Sequence, residues 1–428
     1  MGVLNRYRNR REHNGPVEAF IRWVRDGDAL ASLVDTVGRR ELLGTDTLDC
    51  RDDVRSWRVT DPELVRVEEP VGHGPVPANY ENLVGEWKIP PSRVFEIPDA
   101  TVHGTRAIQF DHREDIIVGP AFRREQVLDF VKRNVGGFPS QVETGSRYLG
   151  IRSLPSPDIE LDTACVLVDK GDTKYFHWIC QFLSLLKGVE AYRRETGLEP
   201  TLVIPAESGP YHRRTLALLG YDESKVLKWS GGTLAADRLV FPTKPYTEVG
   251  GGWKAFSASA LRWVSDNLVV AVESVERDFS SNVYISRADT TGRRVTNERE
   301  LLNALEPFGF EAYVPSTMSM DDQLRLFAGA DNIVAPHGSA PTSSIFARDP
   351  RVLELQGPDN SAVKVGPHIF GLSEALDFPY QYCICEQDGR DMIADVDAVS
   401  EIVREWMVEP DDTRSKDRPD SRNDKDGA

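Results

Sequence analysis

The residues with the clearest chemical potential follow an apolar run in the second half of the chain. Residues 332–336 (NIVAP) have the composition of a buried strand, and His337 and Gly338 come directly after it. A segment of small and hydroxyl residues that includes Ser339 and Thr342 then has the composition of a helix. A helix N-terminus attracts phosphate, a glycine allows a close approach and a histidine can donate to a phosphate oxygen. The pattern therefore predicts a phosphate site, with a tight turn that only caps the helix as the alternative.

Three arginines accompany another predicted strand. Arg287 directly follows the run at residues 282–286 (NVYIS), and Arg293 and Arg294 lie in the loop beyond it. A guanidinium group stays charged and binds phosphate oxygens through two parallel hydrogen bonds. We therefore predict a pyrophosphate clamp at this strand end. Surface ion pairs with nearby acidic residues are the alternative.

Strand and helix patterns alternate along most of the chain. In the first half, the apolar runs at residues 164–168, 201–205 and 238–241 are typical of buried strands, and segments with helical spacing separate them. The alternation continues from residue 282 to 408. This succession predicts parallel sheets of the Rossmann type, which bind ligands at the carboxyl ends of their strands. Neither a GxGxxG sequence after a strand nor a Walker A sequence is present.

We predict four segments in an α/β protein. They are an amphipathic helix with an irregular region at residues 1–98, a Rossmann-like domain at 99–255, a second one at 256–409 and a disordered tail at 410–428. Short apolar runs between residues 100 and 119 predict a small β-meander. Two such domains in tandem predict a ligand cleft between them.

Composition limits the class of protein. The 428 residues carry a formal net charge of −17, from 68 acidic and 51 basic residues, and most of the basic ones are arginines. This balance opposes nucleic acid as a partner, and it suits a self-repelling protein in a high-salt cytoplasm. No run has the length of a transmembrane helix and no apolar core follows the basic N-terminus, so we expect a cytoplasmic protein.

The sequence shows no metal-site pattern. Cys383 and Cys385 lack a second Cys/His pair at zinc-ligand spacing. Asp321 and Asp322 have the position of a helix start rather than of a metal-binding strand end. We therefore expect neither a metal nor another cofactor.

The N-terminal segment is basic and amphipathic. Residues 6–24 begin with Arg6, end with Val24 and include Phe20, Ile21 and Trp23. A basic amphipathic helix can lie on an anionic membrane surface, so we predict peripheral contact with the inner face of the membrane. An ordinary helix packed on the domain is the alternative.

The run from Val283 to Leu355 resembles the family-61 glycosyltransferases. The family pattern has a strand ending in Ser-Arg, then Arg, Asn-Glu, Gly-Phe, a helix with Gln and Phe, and a strand entering His-Gly, with a later Glu-Leu. The matching residues are Ser286-Arg287, Arg294, Asn297-Glu298, Gly309-Phe310, Gln323, Phe327, His337-Gly338 and Glu354-Leu355. The chain departs from the family after Gly338, where Ser339, Ala340, Pro341 and Ser343 replace Ala, Gly, Leu and Asn. A second family element, an aromatic-x-His-Trp sequence before a helix, is present at residues 175–178 (YFHW).

The resemblance implies a GT-B fold, in which two Rossmann-like domains face each other across a cleft. It implies inverting transfer of a hexose or pentose from a nucleotide sugar, bound by the C-terminal domain, to a glycan or lipid-linked acceptor on the N-terminal domain. His177 is then the candidate general base, with Asp172 close by, because a histidine pKa lies near working pH. A histidine that only hydrogen-bonds its turn or the acceptor is the alternative.

The implied donor site joins the arginines with the His-Gly turn. Its candidate residues are Arg287, Arg293, Arg294, His337, Gly338, Ser339, Thr342 and Glu354, the last as a ligand of the ribose hydroxyls. Two other classes stay open: a non-catalytic nucleotide- or glycan-binding protein on the same fold, and another Rossmann-type transferase, for example of sulfate or phosphate.

Overall fold

The computed structural model describes residues 39–118, 148–150, 154–169, 171–273, 279–358 and 366–408. The helix predicted at residues 6–24 and the tail predicted at 410–428 lie outside these ranges. The strands are β1 (Arg39–Leu43), β2 (Arg55–Arg58), β3 (Glu63–Val67), β4 (Val71–His73), β5 (Gly85–Ile89), β6 (Arg93–His103), β7 (Ile108–Phe110), β8 (Ile116–Ile117), β9 (Tyr148–Gly150), β10 (Ile159–Val166), β11 (Thr201–Pro205), β12 (Val226–Trp229), β13 (Thr233–Pro242), β14 (Tyr246–Glu248), β15 (Lys254–Phe256), β16 (Asn282–Ile285), β17 (Phe310–Tyr313), β18 (Asn332–Pro336), β19 (Arg351–Gln356), β20 (Tyr380–Ile384), β21 (Glu386–Asp388) and β22 (Asp391–Ile393).

The α-helices are α1 (Thr45–Asp49), α2 (Tyr175–His177), α3 (Leu186–Thr196), α4 (Pro210–Leu218), α5 (Ala258–Val270), α6 (Glu298–Leu305), α7 (Met320–Ala328), α8 (His368–Leu376) and α9 (Val396–Val408). A π-helical turn (Trp178–Phe182) and a 3-10 turn (Leu183–Leu185) connect α2 with α3. Other 3-10 turns are Glu223–Lys225, Gly250–Gly252, Glu306–Phe308, Pro315–Thr317 and Ala340–Phe346. No helix in the described part of the chain is long and apolar enough to cross a membrane.

The chain divides into two compact units, and both are mixed α/β structures. Unit 1 comprises Met1–Arg66 and Glu86–Ala271, and unit 2 comprises Val67–Gly85 and Val272–Ala428. Unit 2 thus contains a segment that the sequence placed with the irregular N-terminal region. The physical reason is that β4 pairs in parallel with β20. The second boundary, after Ala271, also lies later than the predicted one.

The main sheet of unit 1 combines parallel and antiparallel strands. Among the described residues its order is β12-β11-β10-β13-β6-β7-β8-β1-β9, with β2 beside β6. Strands β10 to β13 are parallel, whereas β6, β7 and β8 follow one another antiparallel as a meander. Counted along the chain, the parallel strands have the order 3-2-1-4, so the winding direction reverses between β10 and β13. Doubly wound sheets bind ligands at the carboxyl ends of strands at such a reversal.

Strand β6 differs from what the sequence indicated. Residues 57–98 are rich in proline and belong to the region predicted to be irregular, but β6 runs through Pro98 as an 11-residue strand. It pairs with β13, with β2 at residues 93–96 and with β7 at 101–103. Pro98 lies between the residues of β6 that pair with β2 and those that pair with β7. On that side of β6, no described strand pairs with it at Pro98. A proline is tolerated at such an edge because no partner needs its missing N–H.

The main sheet of unit 2 is parallel. Its described strands have the order β17-β16-β18-β19-β20-β4. Every residue of β18 is buried, as expected for a parallel strand covered on both faces. Counted from β16, the order is 2-1-3-4-5 with β4 added at the edge, so the winding reverses between β16 and β18. The predicted helix start at Asp321 and Asp322 is confirmed, because Ser319 caps α7 by accepting from the Asp322 N–H.

Candidate functional site

Arg287 and Gly338 lie together where the winding of the unit 2 sheet reverses, between β16 and β18; we call this place the reversal point of unit 2. Arg287 follows β16 and Gly338 follows β18, and these two strands are paired neighbours. A Cβ atom added to Gly338 would lie 2.2 Å from Nη1 of Arg287. The guanidinium group therefore packs directly on the backbone of Gly338, and a side chain at position 338 would displace it. The structure thus brings the two sequence motifs together at one edge of the sheet.

Arg287 is a half-buried cation without a hydrogen-bonded carboxylate among the described residues. Its Nη2 donates to the carbonyl of Gly292 at 3.4 Å, and its Nε is buried without a partner. Burial, reinforced by the charge of Arg293 and opposed by Asp289, lowers the pKa of Arg287 to about 10. The group stays protonated at neutral pH, and an anion beside it would offset the cost of burying its charge.

Arg293 is a second half-buried cation at this position. Its φ of 59° lies in the left-handed region, where a residue with a side chain is strained. Burial lowers the pKa of Arg293, while the negative charge of Glu354 opposes that shift. No hydrogen bond holds its guanidinium group within the described part of the chain. Arg287 and Arg293 therefore form a pair of mutually repelling cations.

Arg294 has a different environment from its neighbour Arg293. It is exposed, and Asp391 accepts hydrogen bonds from its Nη2 at 2.5 Å and its Nε at 3.0 Å. The structure therefore corrects the predicted pyrophosphate contact of Arg294 in favour of the surface ion pair.

His337 is held by Glu354. Its Nδ1 lies 2.7 Å from Oε1 of the fully buried Glu354, whose Oε2 accepts from the hydroxyl of Tyr380 at 2.6 Å and from Nε2 of Gln356 at 2.9 Å. Burial alone would raise the pKa of Glu354, but the charge of His337 and these hydrogen bonds bring it below the ordinary value. Glu354 is therefore ionised at neutral pH. Since a carboxylate only accepts, His337 carries a proton on Nδ1 and donates it to Glu354.

The predicted contact of Glu354 with ribose hydroxyls is not compatible with this geometry. Its side chain has no exposed surface, and both oxygens are hydrogen-bonded within unit 2. Glu354 orients His337 instead.

The segment after Gly338 also differs from the predicted α-helix. Ala340–Phe346 is a short 3-10 helix without a side-chain cap, so it lacks the dipole of a longer α-helix. Thr342 is fully buried, whereas Ser339 is exposed. The predicted phosphate contact of Thr342 is therefore corrected, because this burial keeps its hydroxyl away from a ligand.

The reversal point of unit 1 carries the other predicted group. Asp172 and His177 follow β10, and Lys244 follows β13, the parallel neighbour of β10. Nζ of Lys244 lies 2.6 Å from Oδ2 of Asp169, so an ion pair joins the two strand ends. This position corresponds to the ligand-binding edge of a doubly wound sheet.

His177 is a half-buried histidine at this position. It ends α2, and the π-helical turn that follows is a local irregularity of a kind frequent at functional sites. Its ring packs on Gly171, where an added Cβ would lie 2.8 Å from Cδ2, and its Nδ1 is buried without a partner. Burial lowers the pKa of His177, with Gln181 acting in the opposite direction. The ring is therefore neutral at neutral pH.

Asp172 supports the loop that carries His177. Its Oδ2 accepts from the N–H of Asp169 at 3.2 Å, and its carbonyl lies 3.0 Å from Nε2 of His212. Because Nδ1 of His212 accepts from the Gly209 N–H, Nε2 is the protonated nitrogen and donates to this carbonyl. Burial raises the pKa of Asp172. No hydrogen bond joins Asp172 to His177 among the described residues, so its contacts are structural.

Sequence reasoning missed the groups behind Glu354. Gln356 lies two residues later on β19, and strand alternation could have placed both side chains on one face. Tyr80 had no such signal, because it lies in a proline-rich segment and contacts Tyr380, 300 positions away.

The chain is thus an α/β protein with two doubly wound units, one with cations at its reversal of winding and one with a neutral histidine. The family model described as Glycosyltransferase 61 matches residues 175–353. The matched range includes His177, Arg287 and His337, and it ends one residue before Glu354. The match covers less than half of the chain; over these residues the chain is similar to this family, and the similarity supports glycosyltransferase activity in general. The resemblance predicted from the sequence is confirmed. No curated protein matches the chain.

Proposed function

We propose that the chain is an inverting glycosyltransferase that moves a hexosyl or pentosyl group from a nucleotide sugar to a hydroxyl of a glycan or lipid-linked acceptor. The observation that carries the donor site is the pair Arg287 and Arg293, two half-buried cations to which no described carboxylate is hydrogen-bonded. A diphosphate supplies the missing negative charge and accepts the unused N–H groups. His337 adds a third donor when it is an imidazolium, because Nδ1–H is given to Glu354 and only a proton on Nε2 can be donated to the diphosphate.

The chemistry follows from these groups in a GT-B arrangement, with the acceptor bound by unit 1. His177 takes the proton of the acceptor hydroxyl, and the acceptor oxygen forms a bond to the anomeric carbon from the side opposite the diphosphate. The bond between that carbon and the diphosphate breaks, and its electron pair moves to the phosphate oxygen. Arg287, Arg293 and His337 stabilise the developing charge. In this proposal the arginines replace a metal ion, so none is required.

Arg287→Ala is expected to weaken the binding of inorganic pyrophosphate about 30-fold or more, because a lost charge-assisted contact costs about 2 kcal/mol. Pyrophosphate contains the group that all nucleoside diphosphates share, and calorimetry gives the dissociation constant. Arg294→Ala is the matched control, since its partner is Asp391, and it should bind like the native protein.

Equal affinities of the Arg287→Ala and native proteins would remove Arg287 from the site.

Binding and hydrolysis of a panel of nucleotide sugars then distinguish the classes of function. Slow donor hydrolysis favours the transferase, whereas binding without any turnover favours the non-catalytic binding protein.

The proposed membrane contact concerns residues outside the described part of the chain. We expect weak, salt-sensitive binding to anionic liposomes through residues 6–24, because basic charge and the apolar side chains Phe20, Ile21 and Trp23 occur together there. Co-sedimentation of the full chain is compared with that of a chain beginning at Asp28. Equal partitioning of the two would favour the packed helix instead.

A further inference from the structure

The loop that carries Arg293 is attached to the hairpin formed by β21 and β22. The N–H of Arg293 donates to the carbonyl of Arg390, in the turn of the hairpin, at 2.7 Å. Strand β22 continues the attachment, because the N–H of Met392 donates to the carbonyl of Arg294 and the carbonyl of Met392 accepts from the N–H of Thr296, both at 2.8 Å. The hairpin thus holds the backbone of the loop at and after Arg293.

Asp391, the first residue of β22, adds a side chain to this attachment. Its Oδ1 accepts from the backbone N–H of Arg294 at 3.0 Å, whereas its Oδ2 accepts from the side chain of Arg294. These hydrogen bonds, first those of the side chain and then that of the backbone, lower the pKa of Asp391. The carboxylate is therefore ionised at neutral pH, and its bond to the backbone is charge-assisted.

A second side chain attaches the far end of the loop. The amide of Asn297 donates from Nδ2 to the carbonyl of Ala394 at 3.0 Å, and its Oδ1 accepts from the N–H of Ala394 at 2.8 Å. Asn297 belongs to the Asn-Glu pair of the family pattern, and the proposed transfer reaction gives it no role. Asp391 and Asn297 therefore hold the same loop from its two sides.

The conformation of Arg293 requires such support. Its φ of 59° is unfavourable for a residue with a side chain, and a residue of this kind keeps that conformation only when its surroundings fix it. The positive charge of Arg293 also lowers the pKa of Arg287, so the two guanidinium groups repel each other. A loop released from the hairpin would reduce both costs by turning Arg293 towards solvent.

We propose that Asp391 is a positioning residue of the donor site: its bond to the N–H of Arg294 holds the preceding residue, Arg293, in the left-handed conformation that keeps its guanidinium group near Arg287. This inference rests on the proposed function, in which both arginines bind the diphosphate. Asp391 acts only through Arg293, because a carboxylate repels an anionic ligand.

Asp391→Ala is expected to weaken the binding of inorganic pyrophosphate to the full chain about tenfold, as measured by calorimetry. The loop then occupies its binding conformation for only part of the time, and the apparent affinity falls with that fraction. The direction of the effect is informative. Removal of a negative charge by itself would strengthen the binding of an anion, so weaker binding indicates that the site has lost its geometry.

Two matched variants separate the oxygens of Asp391. Asp391→Asn keeps an oxygen that can accept from the N–H of Arg294, so it should retain most of the affinity. Arg294→Ala removes the partner of Oδ2 but leaves the backbone bond to Oδ1, so it should bind like the native protein.

The route through Arg293 is tested in a second background. Asp391→Ala should cause no further loss of affinity in a protein that already carries Arg293→Ala, because the cation that it positions is absent. General destabilisation would instead weaken binding in both backgrounds. If Asp391→Ala does not fold, Asn297→Ala releases the other side of the loop and must cause a loss that likewise depends on Arg293.

Three results would overturn the inference. They are native affinity in Asp391→Ala, native affinity in Arg293→Ala, and an equal effect of Asp391→Ala with and without Arg293. Failure of the proposed function gives a different pattern: the native protein would not bind pyrophosphate, or Arg287→Ala would bind it equally well. Binding that depends on Arg287 and is unchanged in Asp391→Ala eliminates only the role of Asp391.

Discussion

His177→Ala is expected to lower turnover by about 10²- to 10⁴-fold, the usual contribution of a general base. The variant removes the group that we propose takes the acceptor proton, but it leaves the cations of unit 2 in place. Pyrophosphate affinity should therefore stay native while turnover falls. The measurement is donor consumption with the nucleotide sugar found active in the panel.

The pH profile adds a signature of this role. Burial lowers the pKa of His177, so its neutral, accepting form persists below the ordinary histidine pKa. Turnover of the native enzyme should fall as pH drops through that lowered value, and the variant should lack this limb. His112→Ala is the control, because His112 is an exposed histidine of unit 1 near Asp53. Native turnover in His177→Ala would leave His177 with only the turn-stabilising role.

Gly338→Ala is expected to lower turnover by about 10²- to 10³-fold, the size of effect seen when one preorganised donor is lost. The added methyl group would occupy the space of the Arg287 guanidinium, 2.2 Å from its Nη1. Arg287 must move, and because the displaced group is the far end of a flexible side chain, we expect little loss of stability. Turnover, pyrophosphate affinity and melting temperature are measured together.

Two comparisons test whether Gly338→Ala acts by displacing Arg287. Gly329→Ala is the control in the same unit, because its added Cβ would meet its nearest neighbour, the carbonyl of Arg325, at an ordinary 3.7 Å. The double variant with Arg287→Ala should lose no more pyrophosphate affinity than Arg287→Ala alone, since both changes act on one contact. Fully additive losses would show that Gly338 acts independently of Arg287.

The sequence by itself determined most of the parallel strands and the positions of the main polar groups. Alternating apolar runs predicted the parallel strands, and a strand end is a local feature, so Arg287 and His337 could be placed at ligand-binding edges before any packing was known. The His-Gly pair, the Ser-Arg pair and the segment at residues 175–178 also predicted the family. These signals survive in a single sequence because each depends on residues close together in the chain.

Only the tertiary structure decided which partners the polar groups have. Arg293 and Arg294 are adjacent and chemically identical, yet Asp391 engages one of them and leaves the other half-buried beside Glu354. Burial decided that Glu354 supports His337 rather than a ribose, and the pairing of β4 with β20 brought the segment carrying Tyr80 into unit 2. Hydrogen-bond partners and desolvation depend on contacts between residues that lie from 17 to 300 positions apart in the chain, and these contacts exist only once the sheets have formed.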